Sequence, residues 1–390
     1  EAMFGARREA DRNAHVLTGL DVLVRDGFRP FQGKRVGLIT NHTGIDRRRR
    51  RNIDLMAEAG VKLVAIFSPE HGFLGKADEP NLPDAVEEKT GARIYSLYQA
   101  GRLRPSTEML EGLEALVFDI QDVGARFYTY VTTMAYAMEE AARRQIPFYV
   151  LDRPNPITGV RVEGPLLDPD KRSFIGYFPL PLRHGMTVGE LARLFNAENQ
   201  IGARLEVVRM EGWQRGDWFD ATGLPWVDPS PNMRTLNEAL LYPGVAMLEG
   251  LRNYSVGRGT DTPFEFVGAD WVDGADLASY LNRRGIPGVR FYALERTPVS
   301  SRLAGRLTQG VQILVTDRNA VEATEVGVEI AAALMHLFPG QLDLNQTDRL
   351  VGNQATLTAL AAGEDPRSIR QSWREAVEQF LLRREKYLLY

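Results

Sequence analysis

The chain alternates two hydrophobic patterns. Short apolar runs at 35–40, 61–68, 92–98, 115–118 and 147–151 are rich in β-branched and aromatic residues, as strands buried on both faces are. Between them, apolar residues recur at helical spacing in 52–59 and in 129–144, where Val131, Met134, Ala135, Met138 and Ala142 share a side. Strands alternating with helices predict βαβ crossovers and a parallel sheet covered on both faces. Further on, 187–196 reads as a helix with a capping box, Thr187 followed three residues later by Glu190. Another strand is expected at 205–210. The remainder, with strands near 289–294 and 312–316 and helices near 321–337 and 369–384, reads as a smaller α/β layer. The expected class is α/β, a Rossmann-like domain over 1–165 and a smaller α/β domain over 166–390. The division falls in the turn-rich crossing 162–169.

Polar side chains punctuate the strand ends. Asn41 and His42 follow the first strand and Glu70 and His71 the second; Asp119, Gln121 and Asp122 follow the fourth, and Asp152, Arg153 and Asn155 the fifth. Ligands of open parallel sheets bind at the carboxyl ends of strands, so four such ends on one edge outline a pocket. The second is the most constrained: Pro69 ends the ladder and Gly72 permits an unusual backbone angle, so Glu70 and His71 sit on a turn of fixed shape. The long connection 73–89, with Gly, Pro and acidic residues, is read as a lid or rim. No G-x-G-x-x-G follows the first strand and no G-x-x-x-x-G-K-[ST] occurs, so neither a dinucleotide nor a nucleoside triphosphate is expected as cofactor.

Composition narrows the classes further. With 44% apolar residues in 390, two cores are within reach, and 47 basic against 51 acidic residues leave a net charge of -4, no bulk reason to expect nucleic acid or an anionic membrane. No apolar run is long enough for membrane insertion. The absence of cysteine excludes disulfides, thiolate metal sites and a cysteine nucleophile. His42, His71 and His184 lack the spacing of a metal motif, and no metal is expected. The basic run Arg47 to Arg51 leads into a helix and is read as a solvated face rather than a phosphate site. Trp213, Trp218 and Trp226 are read as core in preference to a sugar-stacking surface. The first fifteen residues are polar and lack an apolar secretion core.

Five motifs carry the identification: Ser68-Pro69-Glu70-His71-Gly72, the stretch from Asp119 to Tyr130, Asp152-Arg153-Pro154-Asn155-Pro156, Pro229-Ser230-Pro231-Asn232-Met233 and the loop from Ser255 to Glu265. In that order they resemble the NamZ-type exo-β-N-acetylmuramidase family, formerly a family of unknown function, over almost the whole chain from Gly19 onward. The resemblance implies a Rossmann-like domain, a smaller α/β domain and an active cleft between them. It implies release of N-acetylmuramic acid from the non-reducing end of peptidoglycan fragments, an extracytoplasmic setting, and a catalytic glutamate matching Glu70.

Glycoside hydrolysis needs a proton donor and stabilisation of an oxocarbenium-like centre. A general acid must hold its proton at neutral pH, which calls for burial or a neighbouring carboxylate. Glu70 is the expected acid, with His71 or His42 tuning it or binding hydroxyls. Asp119, Asp122, Asp152, Glu163 and Glu265 are candidates for the second carboxyl group, and Tyr128 for a nucleophile; retention and inversion stay open. The lactyl carboxylate of muramic acid calls for a cation in fork geometry, from Arg126, Arg153 or Arg258, the last set between two glycines. Asn41, Asn155, Asn232, Asn253, Ser255 and Thr260 are expected hydroxyl or acetamido contacts. The rival class is a noncatalytic saccharide-binding protein of the cell wall using the same cleft.

Overall fold

The computed structural model describes residues 13–72, 84–99 and 101–390; most of the expected lid or rim, residues 73–83, lies outside them. The first layer is a seven-stranded sheet. Its members are β1 (Arg35–Thr40), β2 (Lys62–Ser68), β3 (Ala85–Val86), β4 (Arg93–Ser96), β5 (Ala115–Asp119) and β6 (Phe148–Leu151), then, after an antiparallel pair of β7 (Glu163–Leu166) and β8 (Pro181–Arg183), β9 (Leu205–Val208). In space they run β3-β4-β2-β1-β5-β6-β9, all pairings parallel except β3 with β4. The sheet layer therefore extends past the division expected at 165/166: β9 comes from beyond it and pairs along its length with β6.

Strand residues alternate between two cores, as a pleat requires. Val36 and Leu38 of β1, Ile66 of β2 and Val117 of β5 face α1 (Gly19–Arg25) and α2 (Asn52–Glu58) through Leu20, Leu23, Ile53 and Met56. Ile39, Phe67, Leu116 and Phe118 face the other way, onto α3 (Tyr130–Arg143) and α4 (Val188–Glu198) through Met134, Met138, Leu191 and Leu194. The capping box read at Thr187 is formed with Glu190 at the start of α4. The crevice between β1 and β5, where strand order reverses, is nearly filled by the chain itself: about 20 Å³ is left among Gln121, Arg153, Phe219 and Trp226.

The second layer begins with α5 (Leu236–Val245). A three-stranded antiparallel sheet follows, order β10 (Phe266–Ala269), β12 (Thr308–Val315), β11 (Val289–Arg296), packed against α6 (Gly274–Arg284), which in turn packs on α7 (Ala323–Leu337). Gly244 lets α5 lie directly on α7, since a Cβ there would sit 1.6 Å from the Ala323 carbonyl oxygen. Short helices α8 (Asp348–Val351), α9 (Gln354–Ala361), α10 (Pro366–Ser372) and α11 (Arg374–Arg384) finish the chain. The single helix expected at 369–384 is broken at Trp373, buried with its Nε1 donating to Thr356 Oγ1 at 2.9 Å. The α3/α4 core runs without interruption into Tyr242, Leu277, Val311 and Val328, so the two layers share one apolar interior. Among the described residues no helix is long and apolar enough to cross a membrane.

Candidate active site

Where β2 ends, the chain turns sharply. Gly72 N–H donates to the Pro69 carbonyl at 3.1 Å, closing a four-residue turn whose third member, His71, has φ +67°. A type II turn demands a positive φ at that position and usually takes glycine; a side chain there stores about 1–2 kcal/mol of backbone strain. The turn holds Glu70 at the rim of the sheet, 22% exposed, with its Oε1 4.0 Å from His71 Nε2. Thr129 Oγ1, just before α3, donates to Glu70 Oε2 at 2.5 Å.

Glu70 and His71 open onto a cavity of about 590 Å³ between the two layers. One wall is aromatic: Phe127, Tyr128, Tyr130, Tyr242 and Phe264 pack edge to face, with ring centroids 4.7–5.8 Å apart. Burial lifts the Tyr128 hydroxyl well above its usual range, with Tyr130 adding to the effect, so it is held as a neutral phenol. That opposes a phenolate nucleophile at this position. Tyr98 and Phe174 stack at the mouth, 6.1 Å apart, presenting partly exposed ring faces.

The second layer, which already contributes Tyr242 and Phe264, supplies further lining. Arg258 reaches the cavity from a loop whose flanking residues, Gly257 and Gly259, have φ +84° and +78°. A Cβ on Gly259 would meet the Ser300 carbonyl oxygen at 2.3 Å, so the loop takes this path only with glycine. Arg258 Nη1 pairs with Glu249, which lines the same cavity. Asn232 Oδ1 accepts from Gly259 N–H at 3.3 Å and fastens the 229–233 turn to this loop. Asn345, Gln346, Asp348, Arg349 and Leu350 complete the rim. Asp348 pairs with Lys171, while Arg349 is exposed and makes no ion pair among the described residues.

The structure thus gathers Glu70, His71, Tyr128, Asn232 and Arg258 around one cavity. The other candidates are engaged elsewhere. Asp119 is fully buried and bound by Arg153 Nε at 2.6 Å and Asn52 Nδ2 at 2.8 Å, so the two strand-end charges neutralise each other away from the cavity. Asp122 is buried against His184 Nε2 at 3.2 Å and the Gly124 N–H at 2.9 Å. Asp152 accepts from Thr187 Oγ1, Gly189 N–H and Tyr390 Oη, each at 2.8 Å; burial, reinforced by Glu190, lifts it to about 7. Glu163 forms a buried pair with Arg183.

Arg126 is 1% exposed and donates to the carbonyls of Pro165, Leu180, Leu350 and Val351 at 2.7–3.0 Å, with burial lowering it to about 9. Instead of meeting a ligand carboxylate, it ties the 345–350 rim to the first layer. Asn41 accepts from Thr43, and His42 Nε2 lies 2.6 Å from the Asp228 carbonyl oxygen. Asn155 bonds Met186 and Asn253 the Gln341 carbonyl. Ser255 and Thr260 both bond Gly257 and hold the glycine loop in shape. Glu265 lies outside the cavity lining, its carboxyl raised by burial. The basic run lies on a solvated face, with Arg48, Arg49 and Arg50 exposed, Arg50 paired with Asp46 and Arg51 with Asp54. Trp213 and Trp218 are buried.

Among the lining groups not singled out in the sequence are Thr129, Glu249, Tyr242, Phe174 and the Asn345–Leu350 rim. Thr129 carried a signal, a hydroxyl at the helix entrance beside Tyr128; the rim, some 275 residues from Glu70, carried none.

Family models described as Exo-beta-N-acetylmuramidase NamZ, N-terminal and C-terminal, match residues 36–237 and 240–390. The chain is 44% identical over 390 residues to the peptidoglycan beta-N-acetylmuramidase NamZ of Bacillus subtilis (strain 168), covering 99% of this chain and 94% of that protein. Two crystal structures of DUF1343 family proteins from Bacteroides fragilis NCTC 9343 are similar to it. One has a TM-score of 0.90 at 36% identity, the other 0.78 at 29%; each match covers 96% of this chain and 99% of the other.

Proposed function

The chain belongs to the exo-β-N-acetylmuramidase NamZ family, and from that membership we infer that it is a glycoside hydrolase releasing N-acetylmuramic acid from the non-reducing end of peptidoglycan fragments. Glu70 is the general acid. The observation that supports this assignment is the single cavity shared by the Glu70 turn and the Arg258 loop, which come from different layers. Of the carboxylates lining it, Glu249 and Asp348 are already paired with Arg258 and Lys171, while Glu70 receives a hydroxyl hydrogen bond and stands beside an imidazole.

In this reading the terminal sugar lies against the aromatic wall with its glycosidic oxygen at Glu70, which gives up its proton as the bond to the anomeric carbon breaks. Thr129 fixes the carboxyl orientation, and the rigid turn keeps it there without reorganisation. Arg258, with Arg349 on the facing rim, supplies the cations for the lactyl carboxylate; Glu249 holds the Arg258 fork in place. Incubation with a synthetic β-N-acetylmuramide chromogen and its β-N-acetylglucosaminide counterpart tests the reading. Release from the first alone is expected; release from the second alone overturns lactyl recognition, and release from neither favours a binding protein.

A further inference from the structure

Asn232 has a second side. It also lines a neighbouring depression of about 380 Å³, bounded on its other walls by Arg234, Thr260, Asp261 and Arg296. The loop that Asn232 binds also reaches both, with Arg258 lining the main cavity and Gly259 the depression. Arg234 Nε donates to the Pro231 carbonyl at 3.0 Å and Arg296 Nη1 to the Glu295 carbonyl at 3.1 Å, which hold both side chains in place. Neither guanidinium pairs with a carboxylate among the described residues, and Arg296 Nε is buried without an acceptor. Arg234 is exposed and Arg296 half-buried, whereas Arg284 is matched with Glu329 and Arg370 with Glu322. Exposed Asp261 opposes one of the two cations, so the depression keeps a net positive charge and unfilled donors.

We propose that this depression is a distal subsite for the carboxylate carried by the second muramyl residue of the substrate, either the lactyl group itself or the peptide attached to it. The proposal rests on the exo-muramidase reading. The glucosaminyl unit next to the cut has no carboxylate; the following muramyl unit does. A chain leaving the main cavity past Asn232 meets Arg234 and Arg296 after the neutral unit, which matches the alternation of charge along the polymer. The guanidinium forks bind that carboxylate, and longer fragments gain affinity that a monosaccharide glycoside does not.

The test compares a tetrasaccharide of two alternating muramyl-glucosaminyl units with the corresponding disaccharide, for the parent and for the double variant Arg234→Gln, Arg296→Gln. The expected result is that the tetrasaccharide-to-disaccharide ratio of kcat/KM falls about tenfold or more, mainly through KM, and loses most of its salt dependence. Turnover of the disaccharide reports folding of the variant. A second arm needs no variant: amidating only the inner lactyl carboxylate should lower the parent's ratio to the same extent. An unchanged ratio in both arms, or equal losses on both substrates, overturns the subsite. Failure of the parent to cleave either substrate overturns the exo-muramidase reading as well, so the two failures are distinguishable.

Discussion

The end of β2 and the ends of β5 and β6 carry the same kinds of residue on the same edge of one sheet, yet they have opposite fates. After β5 and β6, Asp119 and Arg153 close on each other at 2.6 Å with exposures of 0% and 5%, and Asp152 is enclosed by four donors. After β2, Glu70 sits on a strained turn with one hydroxyl donor and faces a cavity of about 590 Å³. The crevice at the strand-order reversal, where ligands of such sheets usually bind, is filled by the protein's own Phe219 and Trp226. What separates a working carboxylate from a structural one here is its partners, not its place at a strand end.

That contrast can be broken most forcefully at Asp119. Asp119→Ala strands the Arg153 guanidinium without its counter-charge in a buried site, and a loss of about 3–5 kcal/mol in urea unfolding is expected. An unfolding free energy within 1 kcal/mol of the parent would place Asp119 among the functional rather than the structural ends.

Asp152 sharpens it through pH. Its folded-state value of about 7 lies above the ordinary 3.8, so the folded chain holds this proton more tightly than the unfolded chain does. The resulting stability is complete below about pH 4 and declines as pH rises towards 7, by an amount on the order of a few kcal/mol. Glu238, also raised to about 7 by burial, acts with the same sign. Unfolding midpoints measured from pH 4.5 to 8 should fall, and Asp152→Asn should flatten its share of the slope.

At the β2 end the expected effects are on rate. Thr129→Val removes the hydroxyl that orients Glu70 and should lower kcat about tenfold, roughly 1.4 kcal/mol, with little change in stability. The smallest effect is on the turn. His71→Gly relieves the φ +67° strain and should leave stability equal or higher by up to about 1 kcal/mol while activity falls with the loss of the imidazole, read by thermal melts beside kinetics.

The sheet was legible because its strands are dense apolar runs, and α4 because Thr187 and Glu190 cap it reciprocally. Short elements such as β7, β8 and β10 gave too few residues for a period to show, and α5 contains Pro243, which argues against a helix on local grounds. At the site, the turn chemistry of Pro69 and Gly72 singled out Glu70, and the glycines around Arg258 marked its loop. Pairing was the illegible part. Asp119 and Arg153 are 34 positions apart and Arg126 meets carbonyls 225 positions away, distances over which sequence holds no record of which charges cancel.

One measurement bears most directly on the difference between the strand ends: turnover of a β-N-acetylmuramide by Glu70→Gln, taken with its melting curve and its binding of free N-acetylmuramic acid. A fall in kcat of about a thousandfold with melting and sugar binding preserved is the predicted result. Turnover within a few fold of the parent, or a loss that comes only with unfolding, would contradict it.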